Sequence, residues 1–313
     1  GFVIIVLPDG ILSNPQYKYI RTFILQETEV RYIISLPRNI FEATSAKTSV
    51  LILQKERKAV LDYQSNLNHL EKSGNIDNTI KVRATNLINR MDYSYYHNLK
   101  KIGIKELMKK GIKFRLLKDF LIYCKTGKTL YGEERKFSKK GLRFLHATNI
   151  TDIGINYKRD EKFIDPLSRM NFPGAYANVD DIVFVRVGVG CAGRVAIVNS
   201  KEDEGVATDY LHIFRVNGID PHFLTIYLKT KYGKQSIELL KHGVGTVSIN
   251  KSDISSIPIP VVSHNIQEGI KMRYKDILQQ WSYSIDTTDD QENKVRNLIR
   301  DLEKILEDYG CEG

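Results

Sequence analysis

Short, continuous runs of apolar residues dominate the first part of the chain. They are FVIIVLP (residues 2–8), VRYIISLP (residues 30–37) and TSVLILQK (residues 48–55). Runs of this length without polar alternation are typical of strands that are covered on both faces. Between the first two runs, apolar residues recur at helical spacing around residues 19–25. The order strand, helix, strand, strand predicts the edge of an open α/β sheet.

The middle of the chain has a different pattern. Residues 58–112 contain few apolar anchors and several turn-forming residues, which favours a linker with helical segments. In residues 113–263 strand-like runs outnumber helical ones, so we expect an α+β domain with a mixed sheet. The expected strands are RFLHATNI (residues 143–150), DIVFVRVG (181–188), RVAIVN (194–199) and HIFRVN (212–217). Residues 221–240 are expected to form one helix or a broken pair of helices.

Residues 264–313 have helical periodicity, with apolar positions at steps of three and four. The first stripe consists of Ile266, Ile270, Tyr274, Ile277 and Trp281. A similar stripe resumes after an interruption at residues 286–290. This spacing predicts a long C-terminal helical segment of coiled-coil-like character. The patterns together predict four segments, which are residues 1–57, 58–112, 113–263 and 264–313.

The charge of the chain is unevenly distributed. The net charge is +10, but residues 286–313 contain nine acids and four bases, so residues 1–285 carry +15. A basic body favours a polyanionic partner such as nucleic acid, although basic charge also serves solubility. The cysteines Cys124, Cys191 and Cys311 have no paired spacing and suit neither a disulfide framework nor a zinc site. No apolar run approaches the length of a membrane span, and we expect a cytoplasmic protein.

Residues 243–260, GVGTVSINKSDISSIPIP, form a glycine-rich and polar segment. Its glycines permit backbone conformations closed to other residues, and its prolines end regular structure before the next helical run. The hydroxyl, amide and ammonium groups in and beside its first half are donors of the types that contact phosphates and base edges. The alternative is an ordinary junction between a loop, a strand and a helix.

Two other glycine motifs resemble nucleotide-binding loops without completing the pattern. KTGKT (residues 125–129) has Ile122 where a phosphate-binding loop needs glycine. GVGCAG (residues 188–193) is followed by the strand-like RVAIVN instead of a helix, so it predicts a tight hairpin and not a dinucleotide site. The arginines that flank this hairpin, Arg186 and Arg194, can contact guanine edges or phosphates.

Several sequence segments resemble those of enzymes that modify DNA. VLPDG, IR, ISLP and TSVLILQK, in that order, resemble the region after the catalytic motif of type I adenine-N6 DNA methyltransferases (modification subunits). Residues 243–260 resemble the end of a target recognition domain in type I restriction–modification specificity subunits. The resemblance covers residues 1–55 and about 113–310. It implies sequence-specific recognition of double-stranded DNA that serves adenine-N6 methylation from S-adenosylmethionine.

The motif for methyl transfer itself is missing. Such enzymes carry an Asn/Asp-Pro-Pro-Tyr/Phe tetrapeptide that holds the flipped adenine, and no two of the eight prolines here are adjacent. We interpret the chain as the C-terminal part of a longer polypeptide and expect no catalytic residue, metal or cofactor site in it. S-adenosylmethionine is expected for the full-length enzyme. The alternatives are a stand-alone specificity subunit that recruits separate methyltransferase and nuclease subunits, and a helical adaptor whose basic charge is incidental.

The partners expected are double-stranded DNA and, through the C-terminal helices, a second copy or other restriction–modification subunits. For His146 and Asn149, which end an expected strand, a capping turn is the alternative to DNA contact. We expect the DNA-binding groups to lie on one face of the second domain. The candidates are Lys125, Lys128, Arg143, His146, Asn149, Arg186, Arg194, His242, Thr246, Ser248, Asn250 and Lys251.

Overall fold

The computed structural model describes residues 1–38, 40–41, 46–55, 61–77, 79–101, 103–242, 247–283 and 288–309. The chain divides into two compact units of mixed α/β structure. Unit 1 consists of Gly1–Lys101 and Lys241–Val247, and unit 2 consists of Ile102–Leu240 and Ser248–Gly313.

Unit 1 is built on a five-stranded sheet with the order β1-β3-β2-β4-β5. Its elements are β1 (Phe2–Pro8), α1 (Asp9–Ser13), α2 (Lys18–Glu27), β2 (Thr28–Ser35), β3 (Thr48–Lys55), β4 (Gln64–His69), β5 (Ile80–Arg83), α3 (Ala84–Leu87) and α4 (Tyr93–Lys101). β3 is antiparallel to β1 and β2, while β2 and β4 are parallel. The three apolar runs at the start of the chain form the first three strands.

β4 and β5 lie in the region that the sequence pattern assigned to a linker. Both strands pair within the main sheet, β4 with β2 and with β5. β5 is only four residues long, and its alternation of buried and exposed residues is correspondingly short. β4, with the sequence QSNLNH, buries Ser65 and Leu67 but has little apolar content. Strands that are this short or this polar give a weak periodic signal.

β1 is an edge strand that exposes apolar side chains on both faces. Phe2 is 68% exposed, and Val3, which points to the opposite face, is 50% exposed. Among the described strands, β1 pairs with β3 alone. The continuous apolar run therefore predicted the strand but not its burial. β2 and β3 do bury side chains in the core, including Ile33 and Leu51.

Three polar residues of the apolar first segment are buried and satisfied. Arg21 is 0% exposed and donates four hydrogen bonds of 2.8–3.2 Å to main-chain carbonyls, of Ile11, Asn14, Ile88 and Asn89. This one side chain therefore ties α2 to the ends of α1 and α3. Elsewhere in the unit the Ser49 hydroxyl donates to the Asp9 carboxylate at 2.7 Å, which joins β3 to α1. Buried charges persist in proteins when they are hydrogen-bonded in this way.

Unit 2 contains two four-stranded sheets, with the orders β12-β11-β14-β7 and β10-β13-β8-β9, and a small sheet of β15 and β6. Its strands are β6 (Lys113–Leu116), β7 (Leu121–Thr126), β8 (Leu142–Leu145), β9 (Phe163–Ile164), β10 (Tyr176–Ala177), β11 (Ile182–Val185), β12 (Val195–Ile197), β13 (Gly205–Ala207), β14 (Leu211–Val216) and β15 (Pro258–Val261). Its helices are α5 (Ile104–Lys109), α6 (Pro221–Lys229), α7 (Lys231–Leu240), α8 (Lys251–Ser255), α9 (His264–Tyr283) and α10 (Thr288–Asp308).

The sheet β12-β11-β14-β7 is covered on both faces. On one face Val183, Val185 and Ile213 share a core with Leu145 and Ala207 of the other sheet. On the opposite face Phe184 and Phe214 belong to the main core, which also contains apolar side chains of α6, α9 and α10. α9 and α10 therefore pack onto the core of unit 2, whereas their coiled-coil character stays a prediction. None of the helices in the described ranges is long and apolar enough to cross a membrane.

Candidate nucleic-acid interface

One end of unit 2 is formed by loops of both four-stranded sheets. β7 and β11 end there and β12 and β14 begin there, because neighbouring strands of their sheet are antiparallel. β8 and β13 are parallel and end beside the same loops, where the Thr208 amide donates to the Leu145 carbonyl at 3.0 Å. We call this surface the loop end. It comprises residues 126–131, 146–149, 186–194, 208–212 and 248–251.

The KTGKT loop leaves β7 at the loop end, and close backbone packing explains its glycine. The Gly127 amide donates to the Leu211 carbonyl at 2.9 Å. A Cβ atom on Gly127 would lie closer than 3.0 Å to the carbonyl oxygens of Thr208 and Ala207. The next amide, of Lys128, donates to Ala207 at 2.9 Å. The loop is therefore fixed against the β13–β14 turn.

The two lysines of this loop have different surroundings. The Lys125 ammonium donates to the Tyr176 carbonyl at 2.9 Å and lies 5.1 Å from the ring centroid of Tyr123. Lys128 is exposed, with its ammonium 4.7 Å from the ring centroid of Phe172. Lys125 is therefore engaged between strands, while Lys128 can reach a phosphate from the surface.

Arg186 follows β11 and is held from three directions. Its amide donates to the Tyr210 carbonyl, and its carbonyl accepts from the Ile249 amide, both at 2.9 Å. Its guanidinium Nη1 donates to the Asp209 carbonyl at 2.9 Å, and the residue is half-buried. The backbone is thus held by two hydrogen bonds and the guanidinium by one, which restrains it for a directional contact with a base edge.

The glycine motif after Arg186 is a tight turn, as the sequence predicts. Gly188, Gly190 and Gly193 have positive φ values of 137°, 76° and 97°, which favour glycine. The turn joins β11 to β12 as an antiparallel hairpin. Arg194 is exposed at its end and lines a cavity of about 150 Å³ with Trp281 of α9 and Glu292 of α10.

The candidates on and after β8 have mainly local partners. Asn149 is fully buried, accepts from the His146 amide at 2.8 Å and donates to two main-chain carbonyls, which matches the capping alternative. The His146 ring lies 5.3 Å from that of Tyr210, and burial, with the nearby Arg135 charge, lowers the pKa of His146. Arg143 lies within β8 and forms an ion pair with Glu161 at 2.9 Å.

The last group of candidates is divided between the two units. Ser248 pairs with Val187 in an isolated bridge, and the Asn250 amide donates to Asp253 at 2.7 Å as α8 begins. Lys251 is exposed at the start of that helix. His242 belongs to unit 1, where it is 5% exposed with Nδ1 at 3.2 Å from the Ser13 carbonyl oxygen. Thr246 lies outside the described residues.

The structure adds three residues that the sequence did not single out for DNA contact. Tyr131, 57% exposed, donates from its hydroxyl to the Asp209 carboxylate at 2.6 Å. Tyr210 is exposed beside them, and aromatic rings can stack on nucleic-acid bases. Tyr131 and Asp209 are 78 positions apart, and no local pattern predicts that pairing.

Acidic residues of the last helix form ion pairs with basic side chains of unit 2. Asp301 of α10 accepts from Arg273 of α9 at 2.6 Å, and Glu307 forms an ion pair with Lys231. The acidic segment thus neutralises part of the basic charge of its own unit. In the described ranges no group of three or more His, Cys, Asp and Glu side chains is arranged to hold a metal ion.

Two family models together match almost the whole chain. The model of N-6 DNA methylases matches residues 1–111. The model of the type I restriction modification DNA specificity domain matches residues 109–297, more than half of the chain. The chain belongs to the family of type I restriction–modification DNA specificity domains. Both parts of the resemblance seen in the sequence are confirmed, and membership supports sequence-specific DNA recognition in a restriction–modification system.

Solved structures of restriction enzymes are similar to the chain. The type IIL restriction–modification enzyme MmeI, solved in complex with DNA, has a TM-score of 0.57 at 9% identity, over 98% of this chain and 46% of that one. This likeness shows a shared fold. The type IIG restriction endonuclease BpuSI has a TM-score of 0.44 at 10% identity, over 99% of this chain and 48% of that one. The S subunit of a type I restriction–modification system from M. genitalium has a TM-score of 0.38 at 16% identity, over 55% of this chain and 41% of that one.

The specificity-domain chain thus spans about half the length of the MmeI and BpuSI chains. No curated protein matches its sequence.

Proposed function

We propose that the loop end of the specificity domain binds double-stranded DNA and reads part of its sequence. The observation that carries this proposal is the convergence of loops from both sheets, which brings Lys128, Arg186, Tyr210 and Lys251 to one end of unit 2. Cations and aromatic rings on a single surface are the groups that bind phosphates and bases. The family match at residues 109–297 supports the same function.

Within this surface we assign different roles to the exposed and the fixed cations. Lys128 and Lys251 are exposed and bind phosphates, which sets affinity and register without reading sequence. Arg186 is held by two hydrogen bonds of its main chain and one of its guanidinium, and it reads a base edge, with guanine N7 and O6 as the matching acceptors. Lys125, Arg143 and Asn149 act through their internal contacts and support the loops.

We further propose that recognition directs adenine-N6 methylation. The methylase match at residues 1–111 supports a fused methyltransferase over a stand-alone specificity subunit. S-adenosylmethionine is the methyl donor expected for a full-length enzyme, and we assign none of its contacts to this chain. We propose α9 and α10 as the region that meets other restriction–modification subunits or a second copy, since one recognition domain reads one half-site.

Selection from duplexes with a randomised core tests the function directly. The chain is incubated with the pool, bound duplexes are recovered and sequenced, and the cycle is repeated. We expect enrichment of one short, defined motif. Lys128→Ala should lower recovery, whereas Lys118→Ala should not, because Lys118 is exposed at the other end of β7. Recovery of duplexes without any common motif would contradict the proposal.

A further inference from the structure

One acidic residue lies at the centre of the loop end. Asp209 stands in the turn between β13 and β14, which is closed by the Leu211 amide donating to the Thr208 carbonyl at 3.0 Å. Its carboxylate accepts from the Tyr131 hydroxyl at 2.6 Å, and its main-chain carbonyl accepts from Arg186 at 2.9 Å. A carboxylate repels DNA phosphates, so its place among cations requires another explanation.

We propose that Asp209 is a positioning residue for base recognition: its carboxylate holds Tyr131, and that contact fixes the turn whose main-chain carbonyl binds Arg186. This inference rests on the proposed function, because it assigns how that surface discriminates between sequences. Tyr131 and Arg186 come from different loops, and both are hydrogen-bonded to this single residue.

The two contacts restrain groups that would otherwise move. The Tyr131 side chain is more than half exposed, so solvent alone would leave several rotamers open to it. A hydrogen bond to a carboxylate is stronger than one between neutral groups, and this bond raises the pKa of Tyr131 to about 12. The phenol is protonated at neutral pH, as tyrosine ordinarily is, and its proton is donated to Asp209.

The proposal separates affinity from discrimination. Removing the Asp209 carboxylate removes one negative charge from the surface, so binding to the scrambled duplex should stay the same or tighten. Losing the carboxylate releases Tyr131 and leaves the turn that carries the Asp209 carbonyl, the acceptor of Arg186, without that anchor. This should instead weaken binding to the selected duplex alone. A purely structural role would lower both affinities together.

Asp209→Ala, Tyr131→Phe and the double variant test the pair in the full chain, with Lys128→Ala as the control for phosphate contact. We expect each single variant to lower the ratio of affinities for selected and scrambled duplexes by about tenfold, within the range for one base contact. The double variant should lose no more than either single variant, because the two groups act as one unit. Lys128→Ala should lower both affinities equally.

A second measurement needs no DNA. Trypsin should cleave after Lys128, Arg135 or Lys136 several-fold faster in Tyr131→Phe and Asp209→Ala than in the unmodified chain, with cleavage sites identified by mass spectrometry. Unchanged cleavage, or equal losses on both duplexes, would overturn the role of Asp209. If the unmodified chain prefers no duplex, the proposed function fails. Faster cleavage of the variants would still show that the hydrogen bond between Tyr131 and Asp209 restrains the loop, and unchanged cleavage would exclude this.

Discussion

His212 donates a hydrogen bond from Nε2 to the carbonyl oxygen of Ile249, over 3.0 Å. Since a carbonyl only accepts, this nitrogen carries the proton, and Nδ1 is left to accept from the Thr126 hydroxyl at 3.1 Å. The neutral ring thus joins β14, the end of β7 and the polar segment before α8. Three parts of the loop end depend on one buried, uncharged imidazole.

The stability of the chain should therefore fall in mild acid. Burial lowers the pKa of His212 to about 4, and it lowers that of His222 likewise to about 4. Between about pH 6.5 and 4 the unfolded chain binds a proton at each ring and the folded chain does not. As the pH is lowered through this window, the free energy of unfolding should decrease by on the order of 2–3 kcal/mol per ring.

Denaturant unfolding at pH 7 and at pH 4.5 measures this effect. His212→Gln should lose less stability over the interval than the unmodified chain, because it removes one of the two rings. His264→Gln, at an exposed position, is the matched control and should behave like the unmodified chain. Equal pH dependence in all three proteins would show that His212 is not buried neutral.

Arg21 should be essential to the stability of unit 1. Arg21→Met keeps an apolar stem of similar length but leaves four main-chain carbonyls without their donor. We expect a loss of about 3–5 kcal/mol in the free energy of unfolding. Arg83→Met, at an exposed position of β5, should change it by less than about 0.5 kcal/mol. Comparable small effects in both variants would contradict the account of the buried guanidinium.

Gly127→Ala should disturb the loop end through packing alone. The added methyl group would overlap the carbonyls of Thr208 and Ala207, and overpacking of this kind costs about 1–3 kcal/mol or more. Gly174→Ala is the control, since nothing lies within 4 Å of its added atom. Thermal unfolding of both variants makes the comparison, and a stable Gly127→Ala protein with full DNA binding would contradict the packing described.

Parts of the fold and of the site could be predicted from the sequence. Continuous apolar runs identified the strands β1, β2 and β3. The strand-like sequence after residues 188–193, where a dinucleotide site would need a helix, identified a hairpin there. Local periodicity failed for β4, which is polar and is held by pairing with β2. The tether between Tyr131 and Asp209 joins distant positions, so it depends on the order of strands in space.

The central claim is that fixed and exposed cations at the loop end have different roles. Titration of Arg186→Ala and Lys128→Ala on the selected and scrambled duplexes, across a salt series, tests it most directly, with Lys118→Ala as control. Arg186→Ala should cost about 1–3 kcal/mol on the selected duplex and relax discrimination at one base pair. Lys128→Ala should weaken binding to both duplexes and lower the log–log salt slope by about one. Unchanged affinity in both variants would contradict the assignment of this surface.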